Sequence, residues 1–121
     1  MNKSIVLNTL KELGWNVTKE DTNTYNLQRY SDAGHDLNIT IKGKSCEALI
    51  DSIYSCYEDF DVSYETYLWL DDTGHGKNGA PYEMREVLED MEACEKMIYE
   101  AYLQTVEKLN KTYTRNDKAE C

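Results

Sequence analysis

The sequence predicts an α+β domain in which helices pack on one face of a small antiparallel sheet. Three observations carry that prediction. Apolar residues recur at helical spacing near the start; between Trp15 and Ile41 they alternate with polar residues in three short runs; after Gly43 the spacing turns helical again. The expected order is α-β-β-β-α-α-α.

Val6, Leu7, Leu10 and Leu13 line one side of a short amphipathic helix, with Ser4 placed to cap its start and Gly14 to end it. Trp15 and Val17, then Tyr25 and Leu27, then Leu37, Ile39 and Ile41 mark three strands. The polar stretches from Asp21 to Thr24 and from Ser31 to Asp36 read as turns, so the strands make a meander with one face covered and one wet. Cys46, Leu49, Ile50, Ile53 and Tyr57 form one stripe of a helix that Ser45 caps and that runs to about Glu58. Asp61 is placed to cap a shorter helix through Tyr64, Glu65, Leu68 and Trp69. That helix stops in a loop from Asp71 to Gly79 holding three of the six glycines. Pro81, the only proline, suits the first turn of a last helix, where a missing N–H costs nothing. Met84, Leu88, Met91, Ile98, Tyr102 and Leu109 follow on one stripe, giving that helix roughly 28 residues. Residues 1–113 form a single α+β domain in this reading, and 114–121 a frayed polar tail.

At 121 residues, with 40% apolar content and ten tyrosines, the chain suffices for one core and not for two. No run approaches the roughly 18 to 20 apolar residues of a membrane span, and the start lacks a cleavable leader, so a soluble, cytoplasmic protein is expected. Cys46, Cys56, Cys94 and Cys121 show no C-x-x-C spacing, and Cys46 and Cys56 fall on different faces of one helix. Reduced thiols are expected rather than a disulfide framework or a zinc site.

The net charge of −10 is concentrated in one block. Residues 51–100 hold fourteen carboxylates against three cations, a net of −11, while the first fifty residues balance six acids with six bases. Such a field draws basic partners and repels nucleic acid. Because Ile53, Phe60, Leu68, Trp69, Val87 and Met91 interleave the block, the acids decorate a folded surface rather than a disordered tail. On the last helix Glu86, Glu89, Asp90 and Glu100 are expected opposite the apolar stripe. An ordinary solvated helix face accounts for them alone, yet the preceding segment is acidic too and holds few bases, and like charges one turn apart cost a few tenths of a kcal/mol each. Glu95 falls within the stripe, where a salt bridge to Arg29 is its expected satisfaction. Seven tyrosines (54, 57, 64, 67, 82, 99 and 102) lie in or just past the block. About half should be core; those at the surface suit interface anchors, and base stacking fails on electrostatics.

Reaction motifs are thin. Asp71, Asp72 and His75 share a loop, but their spacing matches neither an EF-hand nor a zinc pattern, and His35 beside Asp36 has no nucleophile around it. The single G-x-G, Gly74-His75-Gly76, lacks a third glycine, and no P-loop or H-E-x-x-H is present. No enzyme activity, metal or cofactor is expected.

Three stretches carry a resemblance: Tyr30-Ser31-Asp32-Ala33-Gly34-His35-Asp36 before a strand, Tyr57 to Glu65 leading to Leu68-Trp69, and Gly79-Ala80-Pro81 followed by Leu88-Glu89-Asp90. Over roughly residues 15–105 the chain resembles small acidic proteins of unassigned role from phages, plasmids and conjugative elements of Gram-positive bacteria. Mobile elements carry such proteins to disarm host defence, and some, as antirestriction and anti-CRISPR proteins do, resemble DNA in charge. The resemblance therefore implies an anti-CRISPR-like inhibitor that occupies the basic channel of a nucleic-acid-binding effector such as a Cas nuclease. Carboxylates there replace phosphates on arginine forks and release the same counterions. The contacts are expected from Asp59, Asp61, Glu65, Asp71, Asp72, Glu83, Glu86, Glu89 and Asp90, with Tyr64, Tyr67 and Tyr82 as anchors. The alternatives are a small acidic adaptor of the element, dimeric through its last helix, and a sponge for a nucleotide signal. A sponge needs a basic pocket, for which Arg29, Lys42 and Lys44 are the available cations.

Overall fold

The computed structural model describes residues 3–116. Its order is α1 (Ser4–Glu12), β1 (Asn16–Asp21), β2 (Thr24–Tyr30), β3 (Asp36–Lys42), α2 (Cys46–Asp59), α3 (Val62–Leu68) and α4 (Met84–Asn116), the α+β order expected. The strands pair antiparallel in sequence order, with Leu27 opposite Val17 on one side and Ile39 on the other. That register puts Tyr25, Leu27, Leu37, Ile39 and Ile41 on the covered face, all buried against Val6, Leu10, Leu49, Ile53, Met91 and Ile98. The opposite face is a polar lattice in which the Asn16 side chain donates to Gln28 at 2.6 Å, Gln28 to Asp36 at 2.8 Å and Asn26 to Asn38 at 3.1 Å. One face dry and one wet follows directly from the period of two.

The helix starts of α2 and α3 are capped as their sequences demand. Ser45 Oγ accepts from the Ala48 N–H at 3.1 Å and Asp61 Oδ1 from the Tyr64 N–H at 3.2 Å, contacts typically worth about 1 kcal/mol each. Gly14, at φ 102°, closes α1 through its N–H to the Lys11 carbonyl, but the residue at the N-cap is Lys3, whose side chain does not cap the helix, and Ser4 is already helical.

Helix α4 departs most from expectation. It is 33 residues long and starts at Met84, because the Tyr82 carbonyl is taken by the Gly76 N–H and the first helical N–H bonds run to Glu83. Pro81 therefore lies in the loop. The helix continues through Asn116, into the segment expected to fray; residues 117–121 lie outside those described. Its buried line is Val87, Met91, Cys94, Ile98, Ala101, Thr105 and Leu109, rotated from the expected stripe, so that Met84 and Leu88 face outward. The small Cys94, Ala101 and Thr105 set this phase: they let α4 approach α1 and α2 closely, and Thr105 satisfies its hydroxyl on the Ala101 and Tyr102 carbonyls. Glu95 is half-buried, and Arg29 faces Glu100 instead, at 3.9 Å. Nor is any of the seven tyrosines fully buried. Tyr54, Tyr57, Tyr99 and Tyr102 instead pack ring to ring over the seam between α2 and α4, with centroids 4.8 Å apart for Tyr54–Tyr102 and Tyr57–Tyr99. Cys46, Cys56 and Cys94 form no disulfide among the described residues. Among the described residues no helix is long and apolar enough to cross a membrane.

Candidate interaction surface

The predicted carboxylates fall on consecutive elements, from the end of α2 to the first turns of α4. Asp59 closes α2, Asp61 caps α3, Glu65 is half-buried on α3, Asp71 and Asp72 open the following loop, and Glu83, Glu86 and Glu89 stand at the start of α4, which packs on α3. Seven of the nine predicted carboxylates are exposed. Two of the exposed ones have structural work. Asp61 is the cap of α3, and Asp71 Oδ1 accepts from the Thr73 N–H at 2.8 Å, the Thr73 hydroxyl at 2.6 Å and the His75 N–H at 3.1 Å, which holds the Asp71 carboxyl below its ordinary value. The ion pairs within 4.0 Å among the described residues are Arg29–Glu100 and Glu107–Lys111, so none of the nine is neutralised by one.

The nine do not all face outward. Asp90 is only 8% exposed, the reverse of its expected place opposite the apolar stripe. The rotation of α4 turns Val87, Asp90 and Met91 inward, against the β2–β3 turn, as Met84 and Leu88 turn out.

Loop 69–83 is built by backbone pairing. The Lys77 N–H donates to the Trp69 carbonyl at 2.9 Å, the Asp71 N–H to the His75 carbonyl at 2.7 Å, and the Gly76 N–H to the Tyr82 carbonyl at 2.9 Å. A Cβ on Gly76 would run into the Pro81 carbonyl oxygen, so glycine is required there. Asp71 and His75 are thereby committed to the loop itself. The His75 ring stacks on Tyr82, centroids 3.9 Å apart and 11° from parallel, and its Nδ1 is buried without a hydrogen-bond partner. Among the described residues no three His, Cys, Asp or Glu are placed to hold a metal ion.

Two features beside the acids are absent from the sequence reading. The first is an apolar groove of about 470 Å³ between α3 and the start of α4, lined by Thr66, Tyr67, Leu70, Met84, Arg85 and Leu88. Its rim is open: Tyr67 is 71% and Met84 53% exposed, and Tyr64 and Tyr82 are exposed as predicted. The Thr66 Oγ1 is buried there without a partner. The second is a cavity of about 170 Å³ where His35, Asp36, Trp69, Pro81, Asp90 and Met91 meet. His35 and Trp69 contact edge to face, with ring centroids 5.0 Å apart. Residues from Tyr30–Asp36, from the end of α3 and from Gly79–Asp90 meet at this cavity. One turn beyond Asp90, burial first, and then the charges of Asp90 and Glu65, push the Cys94 thiol up to about 12, so it is protonated and unreactive at neutral pH.

Arg29, the best placed cation for a phosphate pocket, lies over the Trp15 ring, 6.0 Å from its centroid, and faces Glu100. The chain matches no protein-family model, no curated protein and no solved structure.

Proposed function

We propose that the protein is a non-catalytic, anti-CRISPR-like anti-defence protein of a mobile element, which inhibits a basic nucleic-acid-binding effector such as a Cas nuclease by presenting its acidic surface in place of DNA. One observation carries the reading: seven exposed carboxylates on α2, α3, the following loop and the start of α4 have no ion pair among the described residues, and an open apolar groove with the exposed Tyr67 lies between α3 and α4. A soluble domain gains nothing in stability from clustering like charges. Apolar anchors inside a charged rim are what a protein partner uses, since aromatic contacts supply binding energy while charge sets encounter rate and choice of partner.

Affinity capture tests it. The immobilised protein is exposed to nuclease-treated lysate of a Gram-positive host carrying CRISPR and restriction systems, then washed with rising salt. The expected result is a basic nuclease or guide complex that leaves at intermediate salt. The variant Asp59→Asn/Asp72→Asn/Glu83→Gln/Glu86→Gln/Glu89→Gln spares Asp61 and Asp71, which hold the backbone, and is expected to lose both capture and inhibition with its fold intact. Full inhibition by that variant sinks the charge mechanism.

A further inference from the structure

Asp90 lines two spaces at once. Beneath it is the His35–Trp69 cavity; beside it runs an open groove of about 340 Å³ between the β2–β3 turn and α4, edged by Asp32, Glu86 and Glu89. The two share Ala33, Pro81 and Asp90, so the groove leads to the cavity. Asp90 is more than nine-tenths buried as a residue, while its carboxylate keeps contact with the open groove and has no hydrogen bond and no ion pair among the described residues. A carboxylate without a partner at the junction of groove and cavity is available to a cation. A fold that orients such a group into a cavity has prepared a place for a cation.

We propose that this cavity receives the guanidinium of an arginine side chain from the protein's basic partner, with Asp90 as its counter-charge and Trp69 as its aromatic wall. The proposal rests on the acidic surface being a partner-binding face and adds the anchor point. Size favours it, since a cavity of about 150 Å³ accepts a flat six-membered ring, and a guanidinium with its adjoining methylenes is of that order. Chemistry favours arginine over lysine. The planar fork pairs a carboxylate through two parallel N–H bonds, stacks on aromatic surface and loses less hydration than an ammonium. The groove carboxylates Asp32, Glu86 and Glu89 raise the local concentration of cations at the entrance.

The test uses the whole chain, labelled with ¹⁵N, and three probes: N-acetyl-arginine methylamide, its citrulline counterpart of equal shape and no charge, and the lysine counterpart. Trp15 and Trp69 are the two tryptophans, so two indole N–H signals separate the site from the rest of the molecule. The arginine probe is expected to shift the Trp69 indole and the Gly34 and Gly79 amides saturably, in the millimolar range open to so small a ligand. Trp15 stays still. Citrulline and lysine probes are expected to bind at least tenfold more weakly, and Asp90→Asn to weaken the arginine probe at least tenfold. Should Asp90→Asn not fold, the probe comparison on the native chain decides alone, and Glu86→Gln/Glu89→Gln, outside the core, weakens the probe a few fold. Shifts that are absent, equal at both tryptophans, or as strong with lysine overturn the proposal. Such a failure leaves capture by the native chain intact, whereas failure of the acidic-face reading abolishes capture and leaves the Trp69 response to the probe unchanged.

Discussion

The two halves of α4 obey opposite rules. From Cys94 to Leu109 the inner line is apolar or self-satisfied, against α1 and α2, and the flanks are stitched by Arg29 to Glu100, Glu107 to Lys111, and the Tyr113 hydroxyl donating to Glu47 on α2. From Met84 to Met91 the helix turns inward an aspartate that has no partner among the described residues and exposes a methionine and a leucine. One continuous helix thus holds a half optimised for stability and a half that departs from it. Departures of that kind concentrate where a protein meets something else.

Paired truncations test the contrast most directly. Ile98 is fully buried in the C-terminal half, and Ile98→Ala is expected to cost about 2–5 kcal/mol through lost burial and the cavity left behind. Leu88→Ala, on the exposed groove wall, is expected to change stability by less than about 0.5 kcal/mol. Urea unfolding of both variants reads the difference as midpoints at constant slope. Equal costs would erase the contrast. A dimer through the last helix, the alternative reading, must likewise use its exposed positions: Met91 and Ile98 are occupied by the core, so Leu103 and Tyr99 are the residues whose substitution would shift oligomer size in light scattering.

Next in size is Asp90 itself. Replacing its carboxylate by the neutral isostere breaks no hydrogen bond and no ion pair among the described residues. Asp90→Asn is therefore expected to change stability by less than about 0.5 kcal/mol while weakening the arginine response. A loss of about 1 kcal/mol or more would mean that the carboxylate serves the fold, and the two halves of α4 would then be alike.

The sequence made the fold legible wherever a short period or a cap decided the outcome. The strands, the Ser45 and Asp61 caps and the stop at Gly14 depend on nearest neighbours, and each was readable. The phase of α4 was not. Hydrophobicity alone favours Met84, Leu88 and Tyr102 as the inner line, but close packing on α1 and α2 selects small residues, Cys94, Ala101 and Thr105, and a rotation of the stripe follows. That rotation decides the site, since it carries Asp90 from the surface into a cavity. That carboxylates crowd the elements from α2 to α4 was legible from charge; that His35, Trp69 and Asp90 would meet depends on tertiary placement of loop 69–83 and leaves no periodic mark.

The smallest expected effect lies in that loop. Asp71 is exposed, so its charge adds little to global stability, but the Asp71 carboxylate holds two backbone N–H groups and the Thr73 hydroxyl, and its carboxyl titrates below the ordinary 3.8 because of those bonds, the Thr73 hydroxyl foremost. The sign follows from linkage: the contribution is complete above the unfolded value near 3.8 and is lost as pH falls through the lower folded value. Amide spectra recorded from about pH 5 downward are expected to show the Thr73 and His75 N–H signals shifting together with a midpoint below 3.8. The C-terminal half of α4, with no part in that turn, is expected to hold its signals through the same step, and Asp71→Asn to abolish it. A midpoint at or above 3.8 would mean that the turn does not select the ionised carboxylate. The loop would then owe its shape to its backbone pairing, Lys77 to Trp69, Asp71 to His75 and Gly76 to Tyr82.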